Sequence, residues 1–129
     1  MAERSKDWLK QAEKDLNAAE SMSKAGHYEW ACFVSQQSAE KTLKAIYQKY
    51  NGEARGHSVL ELAKRLTRKI KIDKKIIECG RDLDKYYIPT RYPNVFETGS
   101  PYEYYTKDEA DHAIICARKI LELGQSILA

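Results

Sequence analysis

Three cysteines and three histidines are the side chains of this sequence that most often serve in proteins as nucleophiles, bases or metal ligands. They are Cys32, Cys79, Cys116, His27, His57 and His112. The cysteines are odd in number, widely spaced and without a Cys-x-x-Cys pair, so we expect reduced core residues. No two histidines have the three- or four-residue spacing that places two ligands on one helix face. The sequence therefore predicts no metal site.

Charge is unevenly distributed along the chain, although a formal net charge of +3 is too small to indicate nucleic-acid binding by itself. Residues 53–75 carry eight basic and three acidic side chains, whereas residues 96–112 carry five acidic side chains and one lysine. Four of the basic residues recur at helical spacing and could contact phosphates of a nucleic acid: Lys64, Arg65, Arg68 and Lys69. The alternative is an ordinary solvated helix face.

Aromatic residues are concentrated in one segment, since seven of the 13 lie between residues 86 and 105. Most of this segment has no sustained periodicity and contains all three prolines, which predicts a connection that is long for so small a domain and typical of functional loops. Its tyrosines, with Arg91, could stack on bases or on a nucleotide ring. Tyrosine-rich irregular segments also form protein interfaces, which is the interpretation we favour.

Hydrophobic periodicity and capping residues predict an all-α protein, an up-and-down bundle of about five helices in one domain that spans all 129 residues. The predicted helices cover residues 5–24, 27–50, 58–70, 73–88 and 106–128. Ser5, Ser58 and Asp73 are the expected N-caps of the first, third and fourth helices, and Thr106 with Glu109 matches a capping box. No apolar run is long enough to span a bilayer and the N-terminus lacks a secretory signal, so we expect a cytoplasmic protein.

Four separated segments share the order and spacing of one family's signatures: residues 8–16 (WLKQAEKDL), 36–45 (QQSAEKTLKA), 57–62 (HSVLEL) and 91–94 (RYPN). Together they resemble HEPN domains, small helical proteins that are found in prokaryotes and higher eukaryotes and are often encoded beside a minimal nucleotidyltransferase. The resemblance covers almost the whole chain. It implies a helical bundle, commonly a homodimer, that binds a nucleotide or a nucleic acid such as RNA and acts with a nucleotidyltransferase partner.

The polar and aromatic residues of these segments are the candidate ligand contacts: Gln37, Glu40, Lys41, His57, Arg91, Tyr92 and Asn94. The three on the second helix could line a groove for a nucleotide or form a polar network across a dimer seam. His57 could instead simply precede the Ser58 cap. Arg91 could instead bond carbonyl groups at a helix end, because the last turn of a helix leaves such groups without partners.

The ribonuclease members of the family carry an arginine, usually followed by a polar residue, and a histidine four to six residues later near the start of the final helix. This sequence lacks that motif, and its nearest equivalent is Lys107, followed by Asp108 and by His112. His112 could take the proton of a ribose 2′-hydroxyl and Lys107 could stabilise charge on the phosphate, but lysine lacks the bidentate fork of arginine. We therefore expect no catalysis and no cofactor. The alternatives are a metal-independent RNase toxin with a degenerate Lys107/His112 site and a purely structural dimeric module.

Overall fold

The computed structural model describes residues 3–52 and 54–129, and these residues form five α-helices with no strand among them. The helices are α1 (Ser5–Lys24), α2 (Tyr28–Lys49), α3 (Val59–Leu66), α4 (Lys74–Asp84) and α5 (Lys107–Leu128). Two 3₁₀ turns, Pro93–Val95 and Pro101–Glu103, interrupt the connection from α4 to α5. The predicted all-α bundle is confirmed. In the described part of the chain, no helix has the length and apolar character needed to cross a bilayer.

The three long helices form the centre of the bundle. A turn over residues 25–27, in which Gly26 has a φ of 86°, joins α1 to α2, so these two helices run antiparallel as a hairpin. α5 packs against both, and its Ala117 and Leu121 are buried with Ala12 and Leu16 of α1. α3 and α4 complete the main hydrophobic core against α2 and α5. All three cysteines are buried and free, as predicted.

Three of the four predicted N-caps are present. The Ser58, Asp73 and Thr106 side chains accept hydrogen bonds from backbone N–H groups in the first turns of α3, α4 and α5. The predicted cap at Ser5 is wrong, because Ser5 is the first helical residue of α1 and is almost fully buried. Its backbone N–H donates to the Glu3 carboxylate instead, so an upstream acidic side chain supplies the acceptor that a cap would provide.

α3 and α4 each end four residues earlier than predicted. At the end of α3 the Thr67 hydroxyl donates to the Lys64 carbonyl oxygen at 2.5 Å, the group that a continuing helix would offer to the N–H of Arg68. After α4 the Thr90 hydroxyl donates to the Tyr86 carbonyl oxygen at 2.7 Å. Beyond both ends the backbone N–H groups bond three residues back instead of four, Arg68 to Arg65 and Tyr86 to Leu83, so each helix ends in a tighter turn.

Candidate functional site

Glu40 is a buried carboxylate on α2 around which several of the candidate residues lie. Its side chain is 7% exposed, and it accepts hydrogen bonds from Gln36 Nε2 at 3.2 Å and Lys44 Nζ at 3.1 Å. Both partners are four residues away on the same helix and therefore share its face. From the loop before α3, His57 Nδ1 lies 3.2 Å from Glu40 Oε2, and Gln36 Nε2 donates to the His57 carbonyl oxygen at 2.9 Å. A buried charge needs such partners, and here they attach the loop to α2.

The His57 ring is held on one nitrogen and accessible elsewhere. Because an ionised carboxylate can only accept hydrogen bonds, the Nδ1 that faces Glu40 carries a proton, and Nε2 is the nitrogen that can accept one. The side chain is 57% exposed. Its ring also stacks on Tyr87, with centroids 4.8 Å apart and planes 17° apart. Hydrogen bonding and stacking therefore fix the orientation of a histidine that a ligand can still reach.

The Arg91 guanidinium lies among three aromatic rings. Its Cζ is 4.2 Å from the ring centroid of Phe33, 4.9 Å from that of Tyr87 and 5.1 Å from that of Tyr92. Its Nε and Nη2 both donate to the Tyr87 carbonyl oxygen, at 2.9 and 2.7 Å. This contact agrees with one of the two roles considered for Arg91, the binding of a carbonyl group beyond a helix end. It uses two of the five N–H groups of the guanidinium.

These contacts create one surface, which we call the His57 face: Phe33, Glu40, His57, Tyr87 and Arg91. Three of the seven predicted ligand contacts belong to it, and a fourth, Tyr92, borders it with 46% of the residue exposed. A fifth, Gln37, joins through the hydrogen bond from its Nε2 to Gln36 Oε1 at 2.8 Å. The sequence analysis missed Phe33, although Phe33 precedes Glu40 by seven residues and so shares its helix face. It included Tyr87 only among the tyrosines of residues 86–105 that could stack on a base.

The two remaining predicted contacts lie elsewhere. Lys41 follows Glu40 directly, but its Nζ is 2.6 Å from Asp15 Oδ2 on α1. Successive residues of a helix project about 100° apart, so neighbours in sequence can face different helices. Asn94 is exposed in the 3₁₀ turn of residues 93–95. The structure therefore does not bring Lys41 to the His57 face.

The four residues of the predicted phosphate-binding patch are all exposed: Lys64, Arg65, Arg68 and Lys69. The prediction that they share one helix face is wrong, because α3 ends at Leu66 and the last two lie in the turn that follows. Arg65 Nη2 donates to the Arg55 carbonyl oxygen at 3.2 Å. Part of the donor capacity of this patch is therefore already used within the chain.

Lys107 and His112, the nearest equivalent of the ribonuclease motif, line different cavities. Lys107 Nζ donates to Asp111 Oδ2 at 2.8 Å, and this exposed carboxylate raises the pKa of the lysine. His112 turns towards α4, where its Nε2 is 2.9 Å from Asp82 Oδ2. Each side chain has its own acidic partner, and within one chain the two do not form a common site.

A family model of the HEPN domain matches residues 5–127. The chain belongs to the HEPN family. The resemblance noted in its sequence is thereby confirmed over nearly the whole length. Among curated proteins, this HEPN chain is 29% identical over 130 residues to the Methanocaldococcus jannaschii protein named "Putative toxin MJ1304", with 94% of this chain and 86% of that protein covered.

Three crystal structures have the same fold as this HEPN chain. TT1696 from Thermus thermophilus is 39% identical with a TM-score of 0.94, over 97% of this chain and 98% of that one. ST0689, an archaeal HEPN homologue, is 43% identical with a TM-score of 0.83, over 99% and 100%. An HEPN domain protein from Thermotoga maritima is 31% identical with a TM-score of 0.78, over 95% and 97%. The comparison covers whole chains, so it supports the fold from α1 to α5.

The His57 face of this HEPN chain combines three chemical abilities. The guanidinium can donate hydrogen bonds to an anion, and a fixed fork suits phosphate oxygens in particular. The imidazole Nε2 can accept a proton or a hydrogen bond. The half-exposed Tyr92 ring beside them can stack on a base. The combination suits a phosphate linked to a base better than it suits an apolar ligand.

Proposed function

We propose that this HEPN protein binds a nucleotide or single-stranded RNA at the His57 face, acts with a nucleotidyltransferase as partner, and performs no reaction of its own. The observation that carries the binding site is the fixed guanidinium of Arg91 beside the accessible ring of His57, since both contact the Tyr87 ring. The nucleotidyltransferase rests on the family resemblance alone.

The number of Arg91 N–H groups that remain free to donate supports a phosphate group as the ligand. Two of its five N–H groups bind the Tyr87 carbonyl oxygen, which orients the guanidinium plane and leaves three N–H groups for a ligand. Aromatic rings within 4.2–5.1 Å of Cζ hold that plane from the sides. Because the group is already ordered, little side-chain entropy is lost when a phosphate binds.

An RNase is the second candidate, and one observation favours it at this same face. A histidine held by a carboxylate through Nδ1 has Nε2 available as a general base, as in catalytic dyads. In such a reaction His57 would take the proton of a 2′-hydroxyl, whose oxygen attacks the adjacent phosphorus. The bond to the 5′-oxygen breaks, this oxygen takes a proton from water, and Arg91 would stabilise the phosphorane charge. The name of the Methanocaldococcus relative, a toxin, agrees with this candidate. The separate cavities of Lys107 and His112 make that pair less favourable.

The experiment measures fluorescence anisotropy of a labelled, mixed-sequence RNA and of a labelled nucleotide, and follows RNA integrity on a gel. Tyr92→Ala should weaken RNA binding about 5- to 160-fold through lost stacking. Arg91→Lys should weaken it, because a point charge replaces the fork, and should leave the salt dependence nearly unchanged, because the positive charge is kept. Arg118→Lys is the matched control, an exposed arginine of α5 paired with Glu20 at 2.9 Å, and should bind as the wild type does.

Each other outcome contradicts a stated part of the proposal. Equal affinity in all variants removes the His57 face, and loss only in Arg65→Glu/Arg68→Glu moves binding to the basic patch. Cleavage by the wild type that His57→Ala abolishes selects the RNase at this face, whereas loss only in His112→Ala selects the Lys107/His112 alternative. Neither binding nor cleavage leaves the purely structural module. Melting temperatures of every variant establish that the fold is retained.

We further propose that the protein acts as a homodimer. Large apolar side chains are exposed in the connection from α4 to α5, among them Tyr102, which is 67% exposed, and Val95, which is 48% exposed. Such groups are typical of the cores of protein interfaces. Light scattering of a dimer would give about twice the 14.9 kDa of the chain. A single-chain mass at micromolar concentration would contradict the homodimer.

A further inference from the structure

A second cluster of reactive side chains lies where α4 packs against α5. Cys79 and Asp82 are three residues apart on α4, and His112 and Cys116 are four residues apart on α5. Both spacings place a pair of side chains on one face of their helix. Two helices that pack against each other therefore bring four potential metal ligands together.

The distances within this cluster are close to those of a tetrahedral metal site. His112 Nε2 lies 2.9 Å from Asp82 Oδ2 and 3.7 Å from Cys116 Sγ, and the three ligand atoms are all within 4.8 Å of one another. With metal bonds of about 2.0–2.3 Å, ligand atoms of a tetrahedral zinc site are about 3.3–3.8 Å apart. Because no ligand pair is more than 4.8 Å apart, shifts of about 1 Å in the side chains of half-buried Asp82 and exposed His112 would produce that geometry.

A candidate fourth ligand and an entry path are present. Cys79 lies on the same face of α4 as Asp82, three residues before it, and lines the same cavity as the other three side chains. A cavity of about 280 Å³ reaches the cluster, and all four side chains line it. The His112 side chain is 52% exposed whereas Cys116 is 1% exposed, so the cluster has an open side and a buried side. An ion could enter from solvent and be enclosed by the thiols below.

We propose that Cys79, Asp82, His112 and Cys116 form a binding site for a divalent transition-metal ion, with Zn²⁺ as the best fit. Thiolate and imidazole ligands favour Zn²⁺ over Mg²⁺ and Ca²⁺, which take oxygen ligands. The sequence predicted no metal site, because only spacings between two histidines were considered. The four-residue spacing between His112 and Cys116 was overlooked. Bridging α4 and α5, the ion would stabilise the packing of these two helices.

The charged side chains that line the cavity include both cationic and anionic groups. Lys75 and Lys119 line it and oppose a cation, whereas Glu78 lines it and attracts one. Burial raises the pKa of the Cys116 thiol, so in the metal-free protein this group keeps its proton. A bound divalent cation reverses the effect because it is the largest local charge and favours the thiolate.

Co²⁺ is the probe, because tetrahedral Co²⁺ with thiolate ligands has intense visible bands and a sulfur-to-cobalt charge-transfer band. The tag-free, reduced chain should give these bands with one Co²⁺ per chain, and Zn²⁺ should displace them. Cys116→Ser and His112→Ala should each lower the affinity at least about 100-fold, since even outer-sphere partners of a metal contribute 10–100-fold. His27→Ala, an exposed histidine far along the chain on the α1–α2 turn, is the matched control and should retain the bands.

Absence of the charge-transfer band in the wild type would overturn the proposal, as would bands that persist in both variants. His112 is exposed, so His112→Ala tests the site even if the buried Cys116→Ser substitution prevents folding. Zn²⁺ should also raise the melting temperature of the wild type and of His27→Ala but not of His112→Ala. None of the four ligands belongs to the His57 face, so the result is independent of RNA binding.

Discussion

Gly124 lies where α5 approaches α2, the helix that carries Phe33 and Glu40, and Gly124→Ala tests whether this approach is as tight as the structure indicates. A Cβ atom built at Gly124 would lie 2.4 Å from Thr42 Cγ2 and 3.4 Å from Leu9 Cδ1. Non-bonded carbon atoms pack at about 3.5–4.0 Å. The added methyl group therefore overlaps the Thr42 methyl group by more than 1 Å, while its contact with Leu9 is almost ordinary.

The magnitude follows from two opposing effects. Alanine favours a helix over glycine by about 1 kcal/mol, whereas forcing a methyl group into a packed core costs about 1–3 kcal/mol. The Thr42 side chain cannot easily rotate away, because it is fully buried and its hydroxyl donates to the Ser38 carbonyl oxygen at 2.9 Å. We therefore expect the upper part of that range, and a net loss of about 1–2 kcal/mol. For a domain of this size the melting temperature should fall by about 4–7 °C.

Thr42→Ser provides the control, because it removes Cγ2 and retains the hydroxyl. In the Thr42→Ser background, Gly124→Ala should be neutral or should stabilise the protein by up to about 1 kcal/mol. Urea denaturation of the four proteins, followed by circular dichroism, gives the coupling between the two positions. A Gly124→Ala protein as stable as the wild type, or an equal loss in both backgrounds, would refute the close approach of α5 to α2.

Two other predictions concern buried titratable groups. Glu40→Gln should lower the free energy of unfolding by about 1–3 kcal/mol, because the new amide faces the Lys44 and His57 donors. As the control in the same urea assay, Glu20→Gln breaks an exposed pair and should change this free energy by less than about 1 kcal/mol. Burial raises the pKa of Cys32 from 9.0 to about 12. As the pH rises, the unfolded chain loses this proton before the folded chain does, so stability should fall between about pH 9 and pH 12. Cys32→Ala should lessen the fall in melting temperature over this pH range.

Local signals in the sequence were sufficient to predict the helices. The caps can be predicted without knowledge of the fold, because each capping side chain accepts a hydrogen bond from an N–H group within three residues of itself. These caps are Ser58, Asp73 and Thr106. The ends of α3 and α4 could not be predicted in this way. The apolar periodicity continues past the points where the backbone changes to bonds three residues back, after Leu66 and after Asp84. A threonine does not mark such an end, because Thr42 bonds a backbone carbonyl inside α2 and the helix continues.

The sequence allowed us to predict several residues of the candidate site but not the contacts that bring them together. Glu40 and His57 belonged to separate segments of the family pattern, and their contact across 17 residues depends on how the loop returns to α2. Tyr87 and Phe33 lie outside the segments that were compared, although they supply the rings that hold Arg91. The sequence analysis also grouped Lys41 with its neighbour Glu40, and only the position of α1 decides that its ammonium faces Asp15.

The loop that carries His57 is fixed from two sides, which bears on how the site would bind a ligand. From α2, Glu40 holds the imidazole, and from α4, Asp84 accepts hydrogen bonds from the Ser58 hydroxyl at 2.6 Å and the Val59 N–H at 2.7 Å. A loop that is already ordered loses little conformational entropy on binding. Under the proposed binding, affinity at the His57 face would depend on these two carboxylates as well as on the groups that touch the ligand, because they hold His57 beside Tyr87 in the free protein.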